Sequence, residues 1–181
     1  MKRALSRFLL FKLWGFRVNI DQELPDKFII ALAPHTSNWD FVVGNLYSRA
    51  TDTPCQFLMK KEWLIWPLGY LMKYLGGIPI DRSKRMRVTE QIAETARQAN
   101  SFHLCITPEG TRKRNAEWKK GFYYIALMAE LPILLYGLDY DRKLIECTKT
   151  IRPSGDIEGD MAQIKAHFVQ YRGKHPEKFT I

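Results

Sequence analysis

The chain is poor in the residues that build disulfide frameworks and zinc sites. Its 181 residues include three cysteines, Cys55, Cys105 and Cys147, which lie far apart and form no C-x-x-C pair. An odd number of cysteines without that spacing argues against both kinds of site. We therefore expect a reducing, cytosolic environment.

Long apolar stretches and the G-x-S-x-G motif are missing as well. The longest runs without an ionisable residue are about ten residues long, whereas a helix that spans a bilayer needs about 20. Arg7 and Lys12 interrupt the apolar runs of the N-terminus, and no small-residue cleavage site follows, so a signal peptide is not indicated. Without a G-x-S-x-G elbow, we do not expect a serine triad of the α/β-hydrolase type.

Positive charge, in contrast, is abundant. The chain has 28 Lys and Arg residues against 19 Asp and Glu, a formal net charge of +9. Such a surface favours nucleic acid, anionic lipid headgroups or an acidic carrier protein as partners. The basic residues are scattered and no motif for nucleic-acid recognition appears, so we expect no nucleic-acid partner.

Strand-like and helix-like segments alternate along the chain. The predicted strands are Lys27 to Ala33, Gln56 to Lys60, Gly77 to Ile80, His103 to Thr107, Ile133 to Leu138 and Lys143 to Thr150. The predicted helices are Ser37 to Ala50, Glu62 to Tyr74, Lys84 to Ala99, Trp118 to Ala129 and Ile157 to Tyr171. This alternation predicts one α/β domain over residues 1–181, with a mixed, largely parallel central sheet flanked by helices.

The most informative segment places His35 five residues before Asp40, directly after the first predicted strand. An aspartate can keep one imidazole nitrogen protonated and leave the other free to take a proton from a hydroxyl. The two side chains can meet if His35 lies in a loop and Asp40 in the first turn of a helix. Ser37 to Asp40 fits the [ST]-x-x-[DE] helix-start pattern, with Ser37 as N-cap. The alternative is an aspartate that merely complements the helix dipole.

A second polar segment follows the turn at Gly76 and Gly77. It ends in Asp81 and Arg82, and the guanidinium of Arg82 has the forked geometry that binds phosphate. The alternative is a surface ion pair between Asp81 and Arg82.

A third polar segment runs from Pro108 to Arg112. Pro108 and Gly110 interrupt regular backbone, which predicts that a loop presents Glu109 and Thr111. Their side chains suit an acceptor that carries hydroxyl groups, and Arg112 suits its anionic group. The alternative is a plain turn between a strand and a helix.

Two segments suggest contact with a membrane. The pattern of residues 1–20 predicts an imperfect basic amphipathic helix of the kind that lies at a membrane interface. Lys60 and Lys61 precede a helix rich in Trp and Tyr, residues that favour the same interface. For both segments the alternative is a helix packed on the domain.

Together these segments resemble the glycerolipid acyltransferase family, typified by 1-acyl-glycerol-3-phosphate acyltransferase, which has four ordered sequence blocks. His35 and Asp40 match its H-x4-D block, and residues 77–82 resemble its second block. Pro108 to Arg112 match its P-E-G-T-R block, and Leu131 to Ile133 resemble the start of the fourth. Pro34 and Lys113 depart from the residues that the family often has at these places.

The resemblance implies a membrane-associated O-acyltransferase on the cytoplasmic face that needs no metal or cofactor. His35 would deprotonate the acceptor hydroxyl, and Asp40 would hold the tautomer of His35. The donor would be acyl-CoA or acyl carrier protein, and the acceptor a lysophospholipid such as 1-acyl-glycerol-3-phosphate. The substrate-binding residues would be Lys60, Lys61, Arg82, Glu109, Gly110, Thr111 and Arg112. Another acceptor, such as a lyso-aminolipid, and hydrolysis of the thioester by water stay open as alternatives.

Overall fold

A computed structural model of the chain describes residues 2–60, 62, 65–80 and 85–181. The strands are β1 (Arg17–Ile20), β2 (Lys27–Ala33), β3 (Gln56–Lys60), β4 (Gly77–Ile80), β5 (Phe102–Ile106), β6 (Ile133–Asp139) and β7 (Leu144–Ile151). The helices are α1 (Lys2–Arg7), α2 (Trp39–Thr51), α3 (Leu68–Tyr74), α4 (Arg85–Gln98), α5 (Gly121–Met128) and α6 (Ile157–Phe168). A π-helical segment, Phe8–Leu13, continues α1, and a short 3-10 turn covers Pro176–Lys178.

The strands form one sheet in the order β1-β7-β6-β2-β5-β3-β4. Each neighbouring pair is parallel except β6 and β7, which are antiparallel. The central strand β2 is buried along nearly its whole length, as expected for a parallel strand covered on both faces. The predicted α/β class and the largely parallel sheet are confirmed.

Two apolar layers cover the sheet. One includes buried residues of α4, α5 and α6, with Ile92, Phe122 and Phe168 among them. The other joins the sheet to the N-terminal segment and α2 through residues such as Leu10 and Val43. No helix in the parts of the chain described above is both long and apolar enough to traverse a bilayer.

Several element boundaries differ from the predicted ones. The N-terminal helical backbone ends at Leu13, and residues 17–20 form β1 instead of continuing a helix to residue 20. Gly15, with φ of +72°, lies between the two elements in the left-handed region that glycine tolerates. β1 pairs with β7 at the sheet edge, and that tertiary contact overrides the helical pattern.

Helix α3 is also shorter than predicted, since it begins at Leu68. Pro67 precedes it, and a proline inside a helix would remove a backbone hydrogen bond. Trp63 and Leu64, which belong to the predicted aromatic helix, lie outside the described residues.

Candidate active site

Three parallel strands bring the candidate residues to one edge of the sheet. β2 pairs with β5 and with β6 in parallel register, with Ala31 opposite Ile106 and Ala33 opposite Gly137. The carboxyl ends of these strands therefore meet, as they do in the ligand sites of open α/β sheets. The loops after β2, β5 and β6 carry His35, Glu109 and Tyr140, respectively.

His35 and Asp40 form a hydrogen-bonded pair. The Nδ1 atom of His35 lies 3.1 Å from Oδ2 of Asp40. The Asp40 side chain is fully buried, whereas 16% of the His35 side chain is exposed. The expected meeting of a loop histidine with an aspartate in the first helical turn is thus present.

The other contacts of Asp40 define which nitrogen of His35 carries a proton. Oδ2 of Asp40 accepts hydrogen bonds from the backbone N–H groups of Thr36, at 2.8 Å, and Ser37, at 2.9 Å. The hydroxyl of Tyr140 donates to Oδ1 at 2.8 Å. A carboxylate so surrounded by donors acts as an acceptor toward His35, so Nδ1 is the protonated ring atom. Nε2 is then free to accept a proton.

The helix start differs in detail from the prediction. The N-cap of α2 is Asn38, one residue later than the predicted Ser37. Ser37 still caps the backbone through Oγ, which accepts a hydrogen bond from the N–H of Trp39 at 3.2 Å. Asp40 also accepts the N–H of Ser37 at 2.9 Å, which is the return bond expected when Ser37 and Asp40 open a helix together.

Glu109 contacts the backbone of the His35 loop. Its side chain is 3% exposed, and Oε2 accepts a hydrogen bond from the backbone N–H of His35 at 2.8 Å. Burial, together with the nearby charge of Asp40, raises the pKa of Glu109 to about 8. The carboxyl group thus faces inward and holds the His35 loop, and its contact with the acceptor hydroxyls stays a prediction.

The raised pKa of Glu109 predicts a measurable effect of pH on stability. In the folded state this carboxyl group keeps its proton up to about pH 8, whereas the unfolded chain releases it near the ordinary value of 4.5. The folded state thus binds more protons between these two values, and its contribution to stability is lost as pH rises, at no more than about 1.4 kcal/mol per pH unit.

Glu109→Gln should remove this dependence, because the amide keeps the hydrogen bond to His35 without titrating. Urea unfolding of both proteins between pH 5 and pH 9 measures the difference in slope. Equal slopes in the two proteins would contradict the assignment.

The loop after Glu109 is held by backbone contacts. Gly110 adopts φ of +68°, and a Cβ there would lie 2.9 Å from Cγ of Lys119. The N–H of Lys119 donates to the carbonyl of Pro108 at 2.6 Å, and Asn115 donates to the carbonyl of Glu109 at 2.9 Å. Arg112 is exposed and forms no ion pair with any residue that the structure describes. An anionic group can therefore reach its guanidinium.

The C-terminal segment supports the His35 loop from outside. The backbone N–H of His175 donates to Oγ1 of Thr36 at 3.1 Å. A Cβ on Gly173 would lie 2.7 Å from the same oxygen and 3.0 Å from Cβ of Pro34. The chain approaches this closely because Gly173 has no side chain.

The remaining predicted site residues are only partly visible. Lys60 ends β3, which pairs in parallel with β5, the strand before the Glu109 loop, whereas Lys61 and Arg82 lie outside the described residues. Sequence reasoning missed Tyr140 and Gly173. Neither belongs to a recognisable motif, and each is separated from His35 by more than a hundred residues of sequence.

Comparisons with known proteins agree with this arrangement. The sequence profile of the Acyltransferase family matches residues 15–136, which is more than half of the chain. The fold is similar to the crystal structure of the 1-acyl-sn-glycerophosphate acyltransferase PlsC from Thermotoga maritima, with a TM-score of 0.62 and 17% sequence identity. That similarity covers 92% of this chain and 76% of the other.

Two curated relatives carry the same name, 1-acyl-sn-glycerol-3-phosphate acyltransferase. The protein from Cocos nucifera is 37% identical over 58% of this chain and 35% of its own length. The protein from Haemophilus influenzae is 30% identical over 69% of this chain and 55% of its own length. The matches thus span about half of these relatives or less. With the family profile, they show that this chain belongs to the acyltransferase family, as its four sequence blocks predict.

Proposed function

We propose that this protein transfers a fatty acyl group from a thioester donor to the free hydroxyl of a lysophospholipid, specifically 1-acyl-glycerol-3-phosphate. The observation that carries this proposal is the hydrogen bonding of the two ring nitrogens of His35. Its Nδ1 is committed to the buried Asp40, while Nε2 has no hydrogen-bond partner among the described residues and the ring is partly exposed. This is the arrangement that a general base requires.

The reaction then follows from the geometry of the pair. Nε2 of His35 takes the proton of the acceptor hydroxyl, and the oxygen attacks the thioester carbonyl carbon. The tetrahedral intermediate collapses, the carbon–sulfur bond breaks, and the imidazolium returns its proton to the leaving thiolate. Asp40 stabilises the transient positive charge on His35 through the bond to Nδ1. The donor, acyl-CoA or acyl carrier protein, is a substrate, and no residue is acylated.

The exposed Arg112 supports an anionic acceptor. It follows Glu109 by three residues, and Glu109 contacts the backbone of His35. The loop that carries Arg112 is therefore attached to the His35 loop, next to the His35–Asp40 pair. A guanidinium binds phosphate oxygens in a bidentate manner. The names of the relatives from Cocos nucifera and Haemophilus influenzae point to the same acceptor class.

The direct test is mass spectrometry of lipid products. Purified protein is mixed with acyl-CoA or acyl carrier protein and with a panel of lysolipids that includes 1-acyl-glycerol-3-phosphate. We expect a diacyl phosphatidate that is absent with His35→Ala. Product formed only from another lysolipid would show that this lysolipid is the acceptor. Free fatty acid in place of any diacyl product would indicate a thioester hydrolase.

Arg112→Ala should raise the KM for the acceptor about tenfold or more, since a charge-assisted hydrogen bond contributes about 1.5–3 kcal/mol. The KM for the donor should change little. Lys113→Ala is the matched control, because Lys113 is an exposed cation on the same loop. Steady-state kinetics with each substrate varied in turn measure both constants. An equal loss of affinity for donor and acceptor would count against this role of Arg112.

We also propose that the protein docks on an anionic membrane surface through the layer of α1, α2 and α3. Large apolar side chains are exposed on the N-terminal segment and near α3: Leu5, Phe8, Leu13, Ile65, Trp66, Tyr70 and Leu71. The C-terminal end of α2 connects the two groups. Arg7 donates to the carbonyl of Ala50 at 3.4 Å, and Arg49 stacks on the ring of Tyr74 at 5.3 Å. Cations beside exposed aromatic rings suit the headgroup region.

Binding to vesicles that contain anionic lipid should weaken as salt rises, because the Debye length falls to about 10 Å at 0.1 M. Trp66→Ala should weaken it further, since 78% of the Trp66 side chain is exposed. Tyr124→Ala is the control, because Tyr124 is also exposed but lies on α5 in the opposite layer. Vesicle sedimentation measures the bound fraction. A bound fraction that changes with neither salt nor Trp66→Ala would contradict this docking surface.

A further inference from the structure

We propose that Tyr140 is a positioning residue of the active site, which orients Asp40 and, through it, His35. This inference rests on the proposed acyl transfer and extends it to a residue outside the four sequence blocks. Tyr140 follows β6 directly, and β6 runs parallel to β2, so the strand geometry delivers its side chain to the edge where His35 lies.

The hydroxyl of Tyr140 has a specific task at Asp40. It donates to Oδ1 at 2.8 Å, whereas the three other donors to Asp40, from His35, Thr36 and Ser37, all reach Oδ2. Oδ2 is thus fixed by the adjacent loop, whereas Oδ1 is fixed by Tyr140, the residue that follows β6. Since the Asp40 side chain is fully buried, water does not replace a lost donor there without a rearrangement.

Tyr140 is itself held from both sides. Its backbone N–H donates to the carbonyl of Arg172 at 2.8 Å. Its ring packs edge-on against Phe16, with 5.7 Å between ring centroids. Burial and the charge of Asp40 raise the pKa of Tyr140, so its hydroxyl stays protonated and remains a donor at all pH values used for assays. Such a fixed donor restricts rotation of the Asp40 carboxylate.

Loss of that donor should act on the chemical step. With Oδ1 unpaired, the carboxylate turns away from its present plane, and the bond from Nδ1 of His35 to Oδ2 loses alignment. The fraction of His35 with Nδ1 protonated and Nε2 free then falls. Substrate binding does not change, because Tyr140 acts through Asp40.

The experiment compares Tyr140→Phe with Tyr136→Phe. Tyr136 is a buried tyrosine on β6, the strand that precedes Tyr140, and its hydroxyl pairs with that of Tyr47 at 3.3 Å instead of with Asp40. We expect Tyr140→Phe to lower kcat about tenfold or more with both KM values unchanged, in line with hydrogen bonds to charged groups. Tyr136→Phe should leave kcat within about twofold of the wild type.

A double-mutant cycle and a spectroscopic signature separate positioning from loss of stability. In the Asp40→Ala background, Tyr140→Phe should have little further effect on kcat, because the side chain that it orients is gone. NMR of 15N-histidine-labelled protein should show the Nδ1-protonated tautomer of His35 in the wild type and a mixture in Tyr140→Phe. Ile164→Ala serves as a destabilised control, since Ile164 is fully buried on α6 in the other layer and its loss leaves the Phe16 contact of Tyr140 in place.

The outcomes are distinct. If the wild-type protein forms no diacyl product, the proposed function fails, and an unchanged His35 tautomer in Tyr140→Phe would then overturn the positioning role independently. If the wild type is active and Tyr140→Phe matches Tyr136→Phe in kcat, the positioning role is overturned. An equal loss of kcat in Ile164→Ala and Tyr140→Phe at equal loss of melting temperature would overturn it as well.

Discussion

Replacing His35 with alanine should lower the rate of acyl transfer by about 10² or more while the protein stays folded. The expected magnitude is that of a missing general base. The structure gives the physical reason, since Nδ1 is bound to Asp40 and Nε2 is the atom left for the acceptor proton. Initial rates of diacyl product formation, with circular dichroism to check the fold, measure the effect.

His103→Ala provides the control for this experiment. His103 lies near the start of β5, opposite Phe28 at the start of β2, and thus at the edge of the sheet away from His35. Its loss should leave the rate within a few-fold of the wild type. A folded and active His35→Ala protein would reject the mechanism altogether.

Asp40→Asn should have the second largest effect, a loss of about 10² in kcat. The amide nitrogen is tolerated best at the position of Oδ1, where the hydroxyl of Tyr140 can turn and accept a hydrogen bond. The negative charge beside His35 is still lost, so the imidazolium formed during the reaction is no longer stabilised. Loss of charge-assisted bonds to Thr36 and Ser37 should also lower the free energy of unfolding by about 1–3 kcal/mol.

Asp160→Asn is the matched control for Asp40→Asn. Asp160 is also buried and accepts hydrogen bonds from a tyrosine hydroxyl, that of Tyr123 at 2.8 Å, and from a backbone N–H, that of Ser154 at 2.7 Å. It lies on α6, in the other layer, so its replacement should lower stability and spare kcat per folded molecule. If both substitutions lower kcat equally, Asp40 has no special role.

The sequence predicts strands that directly follow turn residues better than it predicts the edge strand β1. The bounds of β2, β3 and β4 agree with the prediction, because turn residues precede each of them, and β2 is also a continuous, buried apolar run. β1 was missed, since exposed and half-buried residues alternate along this short edge strand and the segment continues a basic helical pattern. Pairing with β7, distant in sequence, decides its conformation, and no local signal contains that information.

The candidate site follows the same division between local and distant contacts. The approach of His35 and Asp40 was predictable because five residues and one helix start determine it. The inward orientation of Glu109 was not, because a carboxylate at a strand end can face solvent or the neighbouring loop with the same local sequence. The pairing of β2 with β5 places the loops that follow them side by side. Oε2 of Glu109 then lies 2.8 Å from the backbone nitrogen of His35.

The missing side chain of Gly173 has a consequence for anyone who builds mutant libraries of this protein. Because any added Cβ there would collide with Pro34 and Thr36, position 173 should show the mutational intolerance of an active-site residue. Serial deletion from the C-terminus should likewise reveal a sharp boundary, with activity abolished once residues 173–175 are removed. Such a boundary would lie well beyond the segment in which the sequence blocks occur.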